Sequence, residues 1–336
     1  MTLSERLNAF VRLGEKIKNL TQTELDELSQ SAFARNGWFT PASVERSLGG
    51  IAHLLDEKKL KKWVSDYQLE PKVPKIVGVI MAGNIPMVGF HDLLCVLLSG
   101  NMAAIKMSSS DQVLVWQMID WIIEIEPRFK KNIEVRDKLD QVDAMIATGS
   151  DNTARYFDYY FGKNPHIIRK NRTSIAILDG SETNEELQAL GEDLFTYFGL
   201  GCRNVAKVFS PKNFDLTSIF PHFENFKEVF NHHKYRNNYD YHKSILLVNK
   251  VQHLDTGFLL VTTTDDLVSP TSVLYHQEYE SKEQLQNVLK LQEEKIQCIV
   301  GHDHIPFGMA QSPEPWDYAD GVDVMRFLEG LWSSSR

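Results

Sequence analysis

A chain of 336 residues, 43% hydrophobic and 24% charged, is long enough for two domains and for a core that needs no covalent staples. Its net charge of −9 argues against general nucleic-acid binding, so an anionic ligand would need a local basic or N–H-rich site. Only three cysteines, and a start (Met1-Thr2-Leu3-Ser4-Glu5-Arg6) without a signal-peptide pattern, lead to the expectation of a reducing cytoplasm; no apolar run reaches membrane-spanning length.

Residues 1–72 read as a helical segment. Leu3, Leu7, Phe10, Val11 and Leu13 form an amphipathic stripe, and Thr21-Gln22-Thr23-Glu24 opens a second helix in the manner of a capping box. Trp38-Phe39-Thr40-Pro41 separates two helices, and Lys58, Lys59, Lys61 and Lys62 form a solvated face. Nothing in this segment signals chemistry. The texture changes at Pro71 and Pro74. Lys75 to Met81 is an apolar strand, Ala82-Gly83-Asn84-Ile85-Pro86 a turn with Pro86 suited to a first helical turn, and Val88 to Leu98 a buried helix. Ser99-Gly100-Asn101 stops that helix, and Met102 to Met107 is a second strand. This βαβ unit implies a parallel sheet with both faces covered.

The alternation continues with a helix at Val113 to Ile125, a strand at Asp143 to Thr148 and a helix carrying Ala154 to Phe161. A strand at Thr173 to Leu178 and a helix at Thr183 to Phe198 follow. No GxGxxG follows any of these strands, so a dinucleotide would be held without that fingerprint. Thr148-Gly149-Ser150 offers N–H groups to a phosphate at a helix N-terminus, although an ordinary N-cap by Ser150 or Asp151 explains the same residues. Further along, Leu216 to Phe230 and Tyr239 to Val248 read as helices around a polar stretch. Gly257 to Thr262 and Thr271 to Tyr275 read as strands, Ser281 to Glu294 as a helix and Ile296 to Val300 as a strand. A loop-like tail precedes a short helix near Val324 to Leu328. His232-His233 and His302-Asp303-His304 lack a metal-binding framework and read as loop histidines, so no metal site is expected.

The three thiols differ in setting. Cys95 lies in the apolar helical run Leu93 to Leu98 and Cys298 in the strand Ile296 to Val300, both as small core hydrophobes. Cys202 lies in Tyr197-Phe198-Gly199-Leu200-Gly201-Cys202-Arg203-Asn204, between a helix and the strand-like Val205 to Phe209. Glycines here permit positive φ and close ligand approach, and Arg203 could favour a thiolate. The residues alone leave open whether Cys202 is a nucleophile or merely a thiol at a tight turn.

The ordered set Asn84, Lys106, Gly149-Ser150 and Cys202, each at the end of a strand or helix, resembles the aldehyde dehydrogenase superfamily. Within it the chain resembles the fatty acyl-CoA reductase subunit of bacterial bioluminescence systems and its acyl-CoA reductase relatives, over roughly residues 73 to 330. The resemblance implies an α/β, aldehyde dehydrogenase-like fold, with a parallel-sheet cofactor domain, a smaller α/β catalytic domain and a helical N-terminal segment. Its bounds would be 1–72 for the helical segment, 73–200 for dinucleotide binding, 201–310 for the Cys nucleophile and 311–336 for a C-terminal tail. It further implies Asn84 as oxyanion donor, Lys106 at the adenosine ribose, Gly149 and Ser150 beside the cofactor and Cys202 as nucleophile. Asp266, in Asp266-Leu267-Val268-Ser269-Pro270, would replace the glutamate that binds the nicotinamide ribose. Phe307-Gly308 resembles the family's glycine-bearing turn.

Three departures from the superfamily pattern carry information. The chain is short, and its helical N-terminus and brief tail depart from the usual oligomerisation hairpin. Ser109 stands where an acidic ribose reader often lies, which favours NADPH, with Ser108 or Ser109 near the 2′-phosphate, over NADH. No carboxylate stands near Ile167-Ile168-Arg169, where the glutamate that activates water should fall. An acyl-enzyme without activated water survives for reduction, so the expectation is an NADPH-dependent reduction of a fatty acyl-CoA to an aldehyde. A cysteine-dependent acyltransferase or thioesterase without hydride transfer, or a non-catalytic scaffold of the same fold, are the alternatives. The partner expected is an acyl-CoA, with a homo-oligomer or an acyl-activating protein compatible with the reading.

Overall fold

The computed structural model describes residues 1–148 and 164–332. The helix expected at Ala154 to Phe161, and Gly149 and Ser150 before it, lie outside the described residues. The chain divides into two compact units, Met1–Asn171 with Pro313–Arg336, and Arg172–Ser312. The sequence reading carries the first domain to residue 200, whereas the compact unit ends at 171, because the strand at Thr173–Ile177 is hydrogen-bonded into the second sheet.

The first unit opens with α1 (Leu3–Lys18), α2 (Gln22–Arg35), α3 (Pro41–Leu54) and α4 (Glu57–Val64). Thr2 with Glu5, and Thr21 with Glu24, form capping boxes that satisfy the first free N–H groups of α1 and α2. Thr40 and Asp56 cap the next two helices. Phe10, Leu13 and Ile17 of α1 share one core with Val44, Leu48 and Ile51 of α3, as the helical period of their apolar residues requires.

The sheet of this unit has β1 (Ile76–Ile80), β2 (Met102–Lys106), β3 (Ile133–Val135), β4 (Ala144–Thr148) and β5 (His166–Arg169) in the order β3-β2-β1-β4-β5. Every pairing is parallel, with Val77 opposite both Ala103 and Ala144. α5 (Phe90–Leu98) and α6 (Gln112–Ile125) connect strands, and Val77, Val79, Ala103, Ile105, Ala144 and Ile146 are buried. A strand buried on both faces reads as a continuous apolar run, which is why β1, β2 and β4 are visible in the sequence. The short β3 and the half-buried β5 carry no such run and were not expected. The helix after β1 starts at Phe90, capped by Gly89, so Pro86 precedes it rather than occupying its first turn; Met87, at φ 58, interrupts the chain between them.

The second unit holds β6 (Thr173–Ile177), α7 (Asn184–Phe195), β7 (Val205–Pro211), α8 (His233–Val248), β8 (Leu254–Asp255), β9 (Leu260–Thr263), β10 (Val273–Tyr279), α9 (Lys282–Gln292) and β11 (Ile296–Val300). Its sheet runs β11-β6-β7-β10-β9-β8, parallel except for β8 against β9. Three expected elements change. The helix expected to run to Phe198 ends at Phe195, followed by a tight turn in which Tyr197 and Phe198 have φ 52 and 59. The helix expected at Leu216 to Phe230 is instead a run of 3-10 turns over Leu216–Asn231 containing Pro221, which cannot donate an α-helical bond. The strand expected from Gly257 starts at Leu260, because Thr256 and Gly257 form a turn. The chain then returns to the first unit, where α10 (Val324–Gly330) buries Val324, Met325 and Leu328 in the core shared with α1 and α3. The C-terminal stretch is thus part of that core.

Candidate active site

In the first unit the strand order reverses between β2-β1 and β1-β4, and in open α/β sheets ligands bind outside the carboxyl ends of strands at such a switch point. Four sequence-predicted residues gather at those ends. Asn84 lies in the turn after β1, and its residue is exposed; Lys106 closes β2, exposed; Ser108 and Ser109 follow it. The turns after β1 and β2 pack tightly. A Cβ on Gly83 would lie 2.5 Å from Ser108 Oγ and 2.7 Å from its Cβ, so only glycine fits. Ser108 Oγ accepts the Ser110 N–H at 3.2 Å, so it also braces its own turn. Two more ties hold the Asn84 turn: the Ser47 hydroxyl donates to the Pro86 carbonyl at 2.8 Å, and the Met87 N–H donates to Asp111 Oδ2 at 2.7 Å. Asp111 is buried, its Oδ1 has no partner among the described residues, and burial lifts its carboxyl from 3.8 to about 7.

The region expected to carry a water-activating glutamate holds a buried ion pair instead. Arg169, the last residue of β5, donates Nη1 to Asp92 Oδ2 and Nη2 to Asp92 Oδ1, the latter at 2.8 Å. A bidentate guanidinium–carboxylate pair satisfies both oxygens and joins β5 to α5.

Cys202 belongs to the second unit, in a turn fixed from several sides. Asn204 Oδ1 accepts the Gly201 N–H at 2.8 Å, while its Nδ2 donates to the carbonyls of Asp193 at 3.0 Å and Thr196 at 2.8 Å. This side chain closes the turn onto the end of α7. Arg203 Nε donates to the Ala310 carbonyl at 2.5 Å, so Arg203 also ties the loop to the Phe307-Gly308 turn. That turn rests on Asp193, fully buried, whose Oδ2 accepts the Gly308 N–H at 2.6 Å and whose Oδ1 accepts the Ala310 N–H at 2.9 Å. Ser174 Oγ donates to the Cys202 carbonyl at 2.9 Å. Cys202 itself is half-buried. Cys95 is fully buried, and burial pushes its thiol well above its ordinary value, while the Cys298 sulfur lies 3.0 Å from Ser174 Oγ within its strand.

Asp266 is exposed in the loop after β9 of the second unit. Its carbonyl and that of Thr264 accept from Lys207 Nζ at 3.0 and 2.8 Å, and Gln277 Oε1 accepts at 2.6 Å. Desolvation lowers the buried Lys207 ammonium to about 8. His302 pairs with Asp179 and Glu186, which raise it to about 9. His302, Asp179 and Glu182 bring ligand-type atoms within 4.8 Å of one another at the surface. Sequence reasoning did not single out Asp111, Asp193, Asn204 or Lys207. Asn204, two positions after the thiol and of a type that bonds nearby backbone, gave the one local signal; the other three act on backbone distant in sequence.

Residues 7–217 match the family model described as acyl-CoA reductase (LuxC). No curated protein matches the sequence. The fold is similar to an NAD-dependent aldehyde dehydrogenase from Sinorhizobium meliloti, with 10% identity, TM-score 0.67, and coverage of 89% of this chain and 70% of that one. It is similar to an aldehyde dehydrogenase from Bacillus cereus solved with NAD+, at 14% identity and TM-score 0.63, covering 89% and 72%. It is also similar to an indole-3-acetaldehyde dehydrogenase from P. syringae, at 12% identity and TM-score 0.67, covering 89% and 72%. These likenesses establish an aldehyde dehydrogenase-like α/β fold. Among the described residues no helix is long and apolar enough to cross a membrane.

Proposed function

Since the chain belongs to the acyl-CoA reductase (LuxC) family, we propose that it reduces a fatty acyl-CoA to the aldehyde with NADPH, NADH being the lesser donor, through an acyl-enzyme on Cys202. Membership supports the coarser statement, an oxidoreductase acting on acyl groups. The finer reading is carried by the thiols: of the three, Cys202 alone sits in a turn outside helix and strand, half-buried and braced by Asn204, Arg203 and Ser174.

In this reading the Cys202 sulfur attacks the thioester carbonyl, the bond from carbonyl carbon to CoA sulfur breaks, and the thiol proton leaves with CoA. The Asn84 side-chain amide and the Cys202 backbone N–H donate to the oxyanion, each worth about 3 kcal/mol when preorganised. Lys106, Ser108 and Ser109, with Gly149 and Ser150, would hold the dinucleotide, and Asp266 would take its nicotinamide ribose. The donor set suits such a ligand, since a cation and hydroxyls stand at the carboxyl ends of parallel strands beside a switch point. The reduced nicotinamide, when bound, supplies the hydride that converts the acyl group to an aldehyde and frees the sulfur. The sequence Ile167-Ile168-Arg169, which holds no carboxylate where the family's water-activating glutamate would fall, supports survival of the acyl-enzyme.

The test is mass spectrometry of the intact protein after incubation with a panel of acyl-CoAs. One acyl group is expected on Cys202, stable without cofactor and discharged as aldehyde on adding NADPH; Cys202→Ala abolishes loading. Rapid release of free fatty acid without cofactor would transfer the assignment to a thioesterase. Loading of Cys95 or Cys298 would remove the mechanism.

A further inference from the structure

The carboxyl end of β2 carries a cation that the sequence does not place there. α2, in the helical N-terminal segment, ends at Arg35, whose Nε donates to the Ser109 carbonyl at 3.1 Å across 74 residues of sequence. Arg35 is exposed, and among the described residues its two terminal nitrogens have no acceptor. The turn it joins, Lys106-Met107-Ser108-Ser109-Ser110, holds a second exposed cation in Lys106 and an exposed hydroxyl residue in Ser109, and no acidic side chain. The next carboxylate, Asp111, is buried and turned to the Met87 N–H. In a chain of net charge −9, this one turn carries the exposed Lys106 and Ser109 and is bonded to the exposed Arg35. A guanidinium anchored by Nε keeps its two terminal nitrogens as a planar fork, the geometry that matches a phosphate monoester.

We propose that Arg35 reads the 2′-phosphate of NADPH at the end of β2, and thereby sets the preference over NADH; this rests on the nicotinamide-cofactor reading above. It gives the N-terminal helices, in which the sequence shows no chemistry, a part in cofactor choice. The adenosine of CoA also carries a ribose phosphate monoester, so the test must separate the two.

NADPH, NADH, 2′-AMP and CoA are titrated by fluorescence or calorimetry against the wild-type protein, Arg35→Gln and Arg35→Lys, with urea midpoints as a check on folding. The expected result is that Arg35→Gln raises the NADPH Kd roughly tenfold to a hundredfold, the effect of losing hydrogen bonds to a charged group. NADH and CoA binding should stay within about twofold, the scatter of a substitution outside their contacts. 2′-AMP binding should be lost in Arg35→Gln and partly kept in Arg35→Lys. Equal weakening of NADPH and NADH would assign Arg35 to bracing the Ser109 turn and overturn the proposal. So would an unchanged NADPH Kd, or a loss confined to CoA. A wild-type protein that binds neither nicotinamide cofactor refutes the underlying reading, and the proposal with it.

Discussion

The two units each brace a turn with a buried aspartate, and they do it differently. In the first, Asp111 uses one oxygen on the Met87 N–H, beside the Asn84 turn, and among the described residues the other has no partner. In the second, Asp193 uses both oxygens on backbone N–H groups of the Phe307-Gly308 turn, to which Arg203 beside Cys202 is also tied. A buried carboxylate with two N–H donors keeps its charge at low cost, and one with a single donor is driven toward its neutral form. The second turn is therefore held by two hydrogen bonds from one side chain, while the first is braced by a single bond to a group that burial lifts to about 7.

The contrast breaks most easily at Asp193. Asp193→Ala leaves the buried Ala310 N–H unbonded and takes the acceptor from the half-buried Gly308 N–H, and the expected loss is about 2 kcal/mol or more in urea unfolding. A loss below about 1 kcal/mol, the scale of one ordinary hydrogen bond, would mean that Asp193 is no anchor. A second effect is expected at Asp111, and it is read against pH. Between its ordinary 3.8 and about 7 the folded protein holds a proton that the unfolded chain has released. Stability from this group therefore falls as pH rises across that window. Asp111→Asn keeps an acceptor for the Met87 N–H and should flatten that slope in urea midpoints collected from pH 4 to 8. An identical slope in both proteins would refute the contrast.

The smallest effect belongs to His302, a surface group whose pairing with Asp179 and Glu186 raises it from 6.5 to about 9. Its contribution is fully present below 6.5 and is lost as pH rises through about 9. His302→Gln should remove a shallow decline in thermal midpoint over that range, and a wild-type protein without any decline would show the pair to be solvent-screened.

The parts of the fold legible in the sequence are those with strong local periodicity. β1, β2 and β4 show as continuous apolar runs, α1 as an apolar stripe, α2 by its capping threonine, the start of α3 by Thr40-Pro41, and α10 as a short helical stretch. The turn holding Cys202 was legible from its glycines and from its thiol's contrast with Cys95 and Cys298. β3 and β5 were not, since β3 has three residues and β5 four, too few to show a pattern. The end of α7 was missed because Tyr197 and Phe198 take positive φ, which their residue types give no reason to expect.

By itself, then, the sequence determined the α/β class, the order of most elements and which thiol stands in a turn, because apolar period and turn chemistry act over a few residues. Tertiary structure alone decided that Arg35 meets Ser109 across 74 residues, that Arg169 meets Asp92 across 77 and that Asp193 meets Gly308 across 115. A polar side chain carries no local mark of the distant backbone or charge it will satisfy; only the folded chain brings donor and acceptor within bonding distance and removes the water that would otherwise serve both.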